Sequence, residues 1–197
     1  MSASRLWVRV AADGSIAWLA RDAQGRVVAG PASLVAGEVP AWPAVEETVV
    51  VWSEVGLVLR RVGVPSGGRG KWRQGLPYLA EEWVAADVAD LHVVAPLELS
   101  GNSCWVAVVE RAGLAALIAR LRDLGLAPDR LLPEAAFLGT DRPADALVDG
   151  AHASFASAAG LAGCCETELL ELVAGGSPEA MRRVAVGSGG GGVEGID

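Results

Sequence analysis

Leu6, Val8 and Val10 alternate with Arg5, Arg9 and other residues, a period of two that predicts a strand with one buried face. Asp13-Gly14 marks a hairpin turn, and residues 16–19 read as the returning strand. A second turn falls at 22–25, and Val27-Val28 forms a short third strand. A proline- and alanine-rich connection over 31–44 has room for one short helix. Residues 49–52 are continuously apolar, the pattern of a strand buried on both faces. Residues 57–64 predict another strand, ended by Pro65-Ser66-Gly67-Gly68.

The period then lengthens. Trp72, Leu76, Leu79 and Trp83 fall near one face of a helix predicted over 69–87. Pro77 inside it either kinks one helix or opens a second. Strands follow over 91–95 and 104–109, joined by a loop. Leu114, Leu117, Ile118, Leu121 and Leu124 make 111–124 the clearest helix, with Gly125 at its stop. Residues 130–133 are extended. Short strands are expected over 146–148, 153–155 and 169–173, and one or two helical turns over 177–183, where Pro178 suits a first turn. The run 187–192 reads as a flexible tail. Three short strands in hairpin order, a connection and a buried strand make an order that recurs in ribonuclease H-like and actin-like domains. The expected class is mixed α/β.

Composition narrows the function. Of 197 residues, 52% are apolar, which suits a folded globule. The formal charge of -8 argues against nucleic acid, whose phosphates need a basic face, and favours basic protein partners or simply solubility. The first ten residues hold no signal-peptide core, and no run spans a bilayer, so the chain is expected in the cytoplasm. Cys104 stands alone and Cys164-Cys165 are adjacent, a usage that fits a reducing compartment.

No catalytic or ligand-binding motif is complete in the sequence. The two histidines, His92 and His152, sit apart from any spaced cysteine pair, so no metal site is expected. No GxSxG elbow surrounds a serine. The sole lysine, Lys71, precedes Trp72, so there is no P-loop. Gly67 to Gly70 is only a partial phosphate fingerprint, and Asp13-Gly14-Ser15 reads as a plain hairpin turn. Glu81 and Glu82 point about 100° apart on a helix and do not converge as a catalytic pair. With Asp87 and Asp90 they form an acidic solvated face or a docking surface for a basic partner. Catalytic, cofactor and metal residues are therefore assigned to none. Trp72 and Trp83 are packing residues, as tryptophans most often are, or else interface anchors.

Several stretches are more specific. Residues 57–65 read LVLRRVGVP, residues 73–82 read RQGLPYLAEE, residues 87–92 read DVADLH, and residues 125–134 read GLAPDRLLPE. In this order they resemble the signature of the type II secretion protein L family, well over 5–140 and loosely over 141–186. Ala80 and Trp83 depart from its usual leucine and glutamine.

The resemblance implies an actin-like, ribonuclease H-related fold without ATPase activity. It implies a division into ribonuclease H-like strands at 1–65, a helix–strand–strand–helix portion at 66–140, a partial second ribonuclease H-like portion at 141–186, and a tail at 187–197. It implies a cytoplasmic scaffold of the inner-membrane platform that binds the secretion ATPase, protein E, and associates with proteins F and M. A homodimer is a further expected assembly. The membrane contact would come from a transmembrane helix outside this chain. The partner-binding residues expected on this reading are Leu76, Pro77, Tyr78, Glu81, Glu82, Asp87, Asp90 and His92. The rival reading is an actin-like nucleotide binder similar to pilus-assembly protein M.

Overall fold

The structure, a computed structural model, describes residues 4–34, 40–96, 102–140, 144–174 and 181–186. Strand β1 (Arg5–Val10) pairs antiparallel with β2 (Ile16–Arg21), which pairs antiparallel with β3 (Val27–Ser33). On its other side β1 runs parallel to β4 (Glu47–Trp52), and β4 runs parallel to β8 (Arg130–Pro133). The sheet order is β3-β2-β1-β4-β8. Alternation sends Leu6, Val8 and Val10 to one face, where helix α2 (Arg111–Asp123) lays Leu117 and Leu121 into the same core. Arg5, Trp7 and Arg9 therefore point to the opposite face. Gly14 turns the first hairpin at φ 82°, a backbone value that glycine adopts freely, and Asp13 Oδ1 accepts from the Ser15 amide at 2.8 Å.

Strands β9 (Ala144–Asp149), β10 (His152–Ser157) and β11 (Leu161–Glu166) repeat this plan as an antiparallel meander, and β12 (Met181–Ala185) runs parallel to β9. Helix α3 (Leu170–Ala174) packs Leu170 and Ala174 against Ala146, Ala153 and Phe155. The sheet continues from β11 through β5 (Val58–Gly63) and β7 (Ser103–Glu110) to β6 (Leu91–Val94), giving order β12-β9-β10-β11-β5-β7-β6. Gly163 permits the join between β11 and β5. A Cβ there would lie 2.5 Å from the Leu57 carbonyl oxygen, closer than any side chain tolerates. Helix α1 (Arg69–Ala80) covers β6 and β7 with Leu76 and Ala80.

Most expected elements form, and the mixed α/β class holds. The departures have physical reasons. Strand β3 runs through Pro31 to Ser33 rather than stopping at Val28. It is an edge strand, where a missing amide costs no ladder bond on the open side. Helix α1 ends at Ala80, short of residue 87. Glu81 and Glu82 place negative charge at the negative end of the helix dipole, and Pro77 has already removed one helical bond. The expected strand at 169–173 is instead a 3₁₀ turn, Thr167–Leu169, leading into α3. Burial of Leu170 and Ala174, four apart, is the helical period that the alternating leucines masked. Residues 181–185 are a strand rather than part of a helical turn, while 177–180 lie outside the described residues. Strand β11 was not foreseen, because its Ala-Gly-Cys-Cys run is small and buried on both faces and shows no alternation. Of the 31–44 connection, 35–39 lie outside the described residues, as does 187–192, and 40–45 are irregular.

The second turn is built on one carboxylate. Asp22 accepts from the Gln24 amide, the Arg26 amide and Arg26 Nε at 2.9, 2.9 and 2.8 Å. Burial works to raise its pKa, but the bonds from Arg26 and Gln24 outweigh it and hold the carboxyl below its ordinary 3.8. A depressed carboxylate contributes stability above its unfolded pKa and loses it as pH falls through its folded pKa. Asp22→Asn is therefore expected to lower the urea midpoint at pH 7. The gap from wild type should shrink steadily in titrations taken below pH 3.8. A gap independent of pH would show that the charge does not hold the turn.

Candidate functional site

The predicted partner-binding residues do not lie on one helix. Leu76 is core, packed with Ala80, Leu91, Val106 and Val108. Pro77 is half-buried within α1. Tyr78 follows it with 68% of its surface exposed. Glu81 and Glu82 are exposed in the turns after the helix. Asp87 caps the 3₁₀ turn Val88–Asp90 by accepting from the Ala89 amide at 2.8 Å, and Asp90 is exposed at its end. His92 is half-buried on β6 opposite Val109. Glu81, Glu82, Asp87 and Asp90 form no salt bridge with any described residue. An aromatic ring and four unneutralised carboxylates therefore follow one another along the chain from α1 to β6. Trp72 and Trp83 are not free anchors: both are partly buried against the α1 core, and Arg60 sits over the Trp83 ring at 5.5 Å. Gly67 and Gly68 precede α1, with Gly68 at φ 70° as its N-cap.

A second constellation was not singled out from the sequence. Arg9, on the face of β1 turned away from α2, reaches the far half of the molecule. Its Nε donates to Glu134 Oε1, its Nη2 to Glu134 Oε2 at 3.3 Å, and its Nη1 to Asp149 Oδ2 at 2.7 Å. Glu134 opens the 3₁₀ turn Glu134–Phe137 directly after β8, and Asp149 ends β9. Ser154 of β10 donates to Glu134 Oε2 at 2.7 Å. Ser53 Oγ lies 2.9 Å from Ser154 Oγ and 3.2 Å from Cys164 Sγ. Since the Ser154 proton goes to the carboxylate, Ser53 shares its own between the other two acceptors.

The electrostatics are self-contained. Burial works to lower the Arg9 pKa, but Glu134 and Asp149 more than offset it and hold the guanidinium above its ordinary value. Hydrogen bonds from Ser15 hold Asp13 below its usual range, with lesser help from Arg9 and His152. Burial raises Glu54. The centre thus carries more carboxylate than cation, and its guanidinium is already neutralised. A triphosphate entering here would meet like charge. Beside it a groove of about 810 Å³ opens between the sheets, with Trp7, Leu19 and Val51 on one wall and Phe137 and Leu147 on the other. Trp7 and Phe137 meet edge to face at 6.2 Å.

The cysteines are inert by position. Cys164 sits opposite Ser154 and Cys165 opposite Ala153, so the neighbours face opposite sides of the sheet. They can neither pair nor grip one ion. Burial raises both thiols, Cys165 to about 11, and raises Cys104 as well. Among the described residues no group of three or more metal-ligating side chains converges.

The sequence profile described as type II secretion system, protein L, matches residues 6–180. Protein L of Pectobacterium carotovorum subsp. carotovorum is 30% identical over 129 residues, 64% of this chain and 30% of that protein. Protein L of Vibrio cholerae serotype O1 is 29% identical over 131 residues, 62% of this chain and 31% of that protein. The chain therefore spans about a third of the length of the curated relatives it matches. Among solved structures, the cytoplasmic domain of EpsL, an inner-membrane component of the type II secretion system of Vibrio cholerae, superposes with a TM-score of 0.66 at 22% identity. That match covers 92% of this chain and 82% of the other. A Bacteroides thetaiotaomicron protein with an actin-like ATPase fold and unknown function gives 0.52 at 9% identity, covering 94% and 82%. The fold is accordingly the actin-like one. No helix among the described residues is long and apolar enough to cross a membrane.

Cutting one arm of the Arg9 bridge should cost more than removing both. Arg9→Met leaves Glu134, 6% exposed, without its cation and is expected to destabilise by about 2–3 kcal/mol. Arg9→Met with Glu134→Gln should recover at least half of that loss in denaturant unfolding. Strictly additive losses would mean the two side chains are not coupled.

Proposed function

The chain belongs to the type II secretion system protein L family, and we propose that it is the scaffold domain that recruits and anchors the secretion ATPase, protein E, on the cytoplasmic side of the inner membrane. Its work is binding rather than catalysis. The observation that carries this reading is the exposed run from Tyr78 on α1 through Glu81, Glu82, Asp87 and Asp90 to β6, whose carboxylates form no salt bridge among the described residues. Solvated carboxylates that form no salt bridge among the described residues leave their field available to steer and orient a basic protein surface. Tyr78 supplies a rigid amphipathic ring of the kind that anchors interfaces.

The neutralised centre around Arg9 supports the same reading, because its guanidinium is committed to Glu134 and Asp149 rather than free for a nucleotide's phosphates. Proteins F and M of the same platform are further proposed contacts. They would be reached with the remainder of a longer protein and its membrane anchor.

The test is direct binding of the protein E N-terminal domain by calorimetry. Wild type is expected to bind, and Glu81→Lys with Glu82→Lys to weaken binding about tenfold, more at low salt than at high salt. Failure of the wild-type domain to bind would overturn the scaffold role. Wild-type affinity retained by the double variant would remove this face as the docking surface.

A further inference from the structure

The two sheets present four edges among the described residues: β3, β8, β12 and β6. An open edge offers unpaired backbone groups to any passing chain, and folded proteins ordinarily blunt it with proline, charge or irregularity. Three of these edges are blunted. Strand β3 holds Pro31 and two register shifts against β2. Strand β8 holds Arg130 and Pro133. Strand β12 holds Arg182 and Arg183, each tied in an ion pair, to Asp145 and Glu171. Strand β6 reads Leu-His-Val-Val, with no proline and no formal charge, in unbroken register with β7. Leu91 and Val93 are spent on the core beneath α1, but Val94 keeps 46% of its surface exposed.

We propose that β6 is a docking edge, on which a partner lays an extended basic segment as the eighth strand of the seven-stranded sheet. Charge chooses the occupant. The residues leading into β6 include Glu81, Glu82, Asp87 and Asp90, and Glu110 stands opposite Leu91 in the register, while Arg111 and Arg73 at this end donate to the Ala89 and Pro96 carbonyls. A second copy of the chain would bring the same carboxylates and a formal charge of -8, and would be repelled. A strand in which apolar side chains alternate with lysine or arginine would satisfy the free backbone groups, cover Val94 and neutralise the flank. The inference rests on the scaffold reading for the identity of the partner, but its mode of binding stands on the edge itself.

The experiment compares wild type, Val94→Lys and Val94→Thr. Lysine gives β6 the protection that the other edges have and opposes a basic strand, whereas threonine keeps strand propensity. Each is titrated with the protein E N-terminal domain and with a short synthetic peptide of alternating lysine and valine. Amide hydrogen exchange is followed throughout. Expected are an affinity about tenfold weaker for Val94→Lys, a near-wild-type value for Val94→Thr, and slowed exchange within Leu91–Val94 on binding either probe. A glutamate–valine peptide should give no protection. If the ATPase domain binds all three proteins equally and leaves β6 amides unprotected, the edge proposal fails while the scaffold role survives. If the ATPase domain does not bind wild type, the scaffold role fails, and the edge proposal is then decided by the lysine–valine peptide: protection within β6 upholds it and none overturns it. A self-associated dimer that Val94→Lys dissolves would make a second copy the occupant and overturn the proposal.

Discussion

Arg9 ties together two halves built on the same strand plan. Its guanidinium leaves β1 and meets Glu134 after β8 and Asp149 at the end of β9. That single reach fixes how the first sheet faces the second meander, because Glu134 also receives Ser154 from β10 and Ser53 follows β4. On the other side the halves are joined by a continuous apolar core, in which Leu57, Leu59, Ala135, Ala156 and Ala162 share a cluster with Leu6 and Val8. Apolar burial supplies the bulk of the attraction, and the charged bridge selects one geometry from those the apolar contact would allow.

The same bridge occupies the centre between the two sheets. Two Asp-Gly hairpins turn near it, at Asp13-Gly14 and Asp149-Gly150, in a fold shared with a protein of actin-like ATPase architecture. Yet the guanidinium is spent on carboxylates. At the far end of the second sheet lie exposed acids that form no salt bridge among the described residues, and a strand edge without the devices that close the other three.

The strand order was legible because β1, β2 and β4 follow simple rules. Leu6, Val8 and Val10 alternate, Asp13-Gly14 turns, and residues 49–52 are wholly apolar. Helix α2 was legible from its leucines. What stayed hidden was non-local or small. Strand β11 has no alternation to read, and its fit depends on Gly163 lying against the Leu57 carbonyl. Glu134 and Asp129 both stood in the family-like stretch 125–134, but nothing in spacing says that Asp129 receives the Thr48 amide at 2.7 Å or that Glu134 receives Arg9 from 125 residues away. The acidic residues 81–90 are visible in the sequence, but helix α1 ends at Ala80, before them. The unfavourable end charges that stop it only matter once the helix terminus is located.

The Arg9 guanidinium is committed to Glu134 and Asp149, and a polyphosphate entering the inter-sheet centre would have to displace them. Thermal unfolding with and without ATP and magnesium, alongside Arg9 side-chain resonances in the folded protein, tests this most directly. The account predicts an unchanged midpoint and unchanged resonances across the titration. A midpoint that rises with ATP concentration, together with displacement of the Arg9 signals, would contradict it.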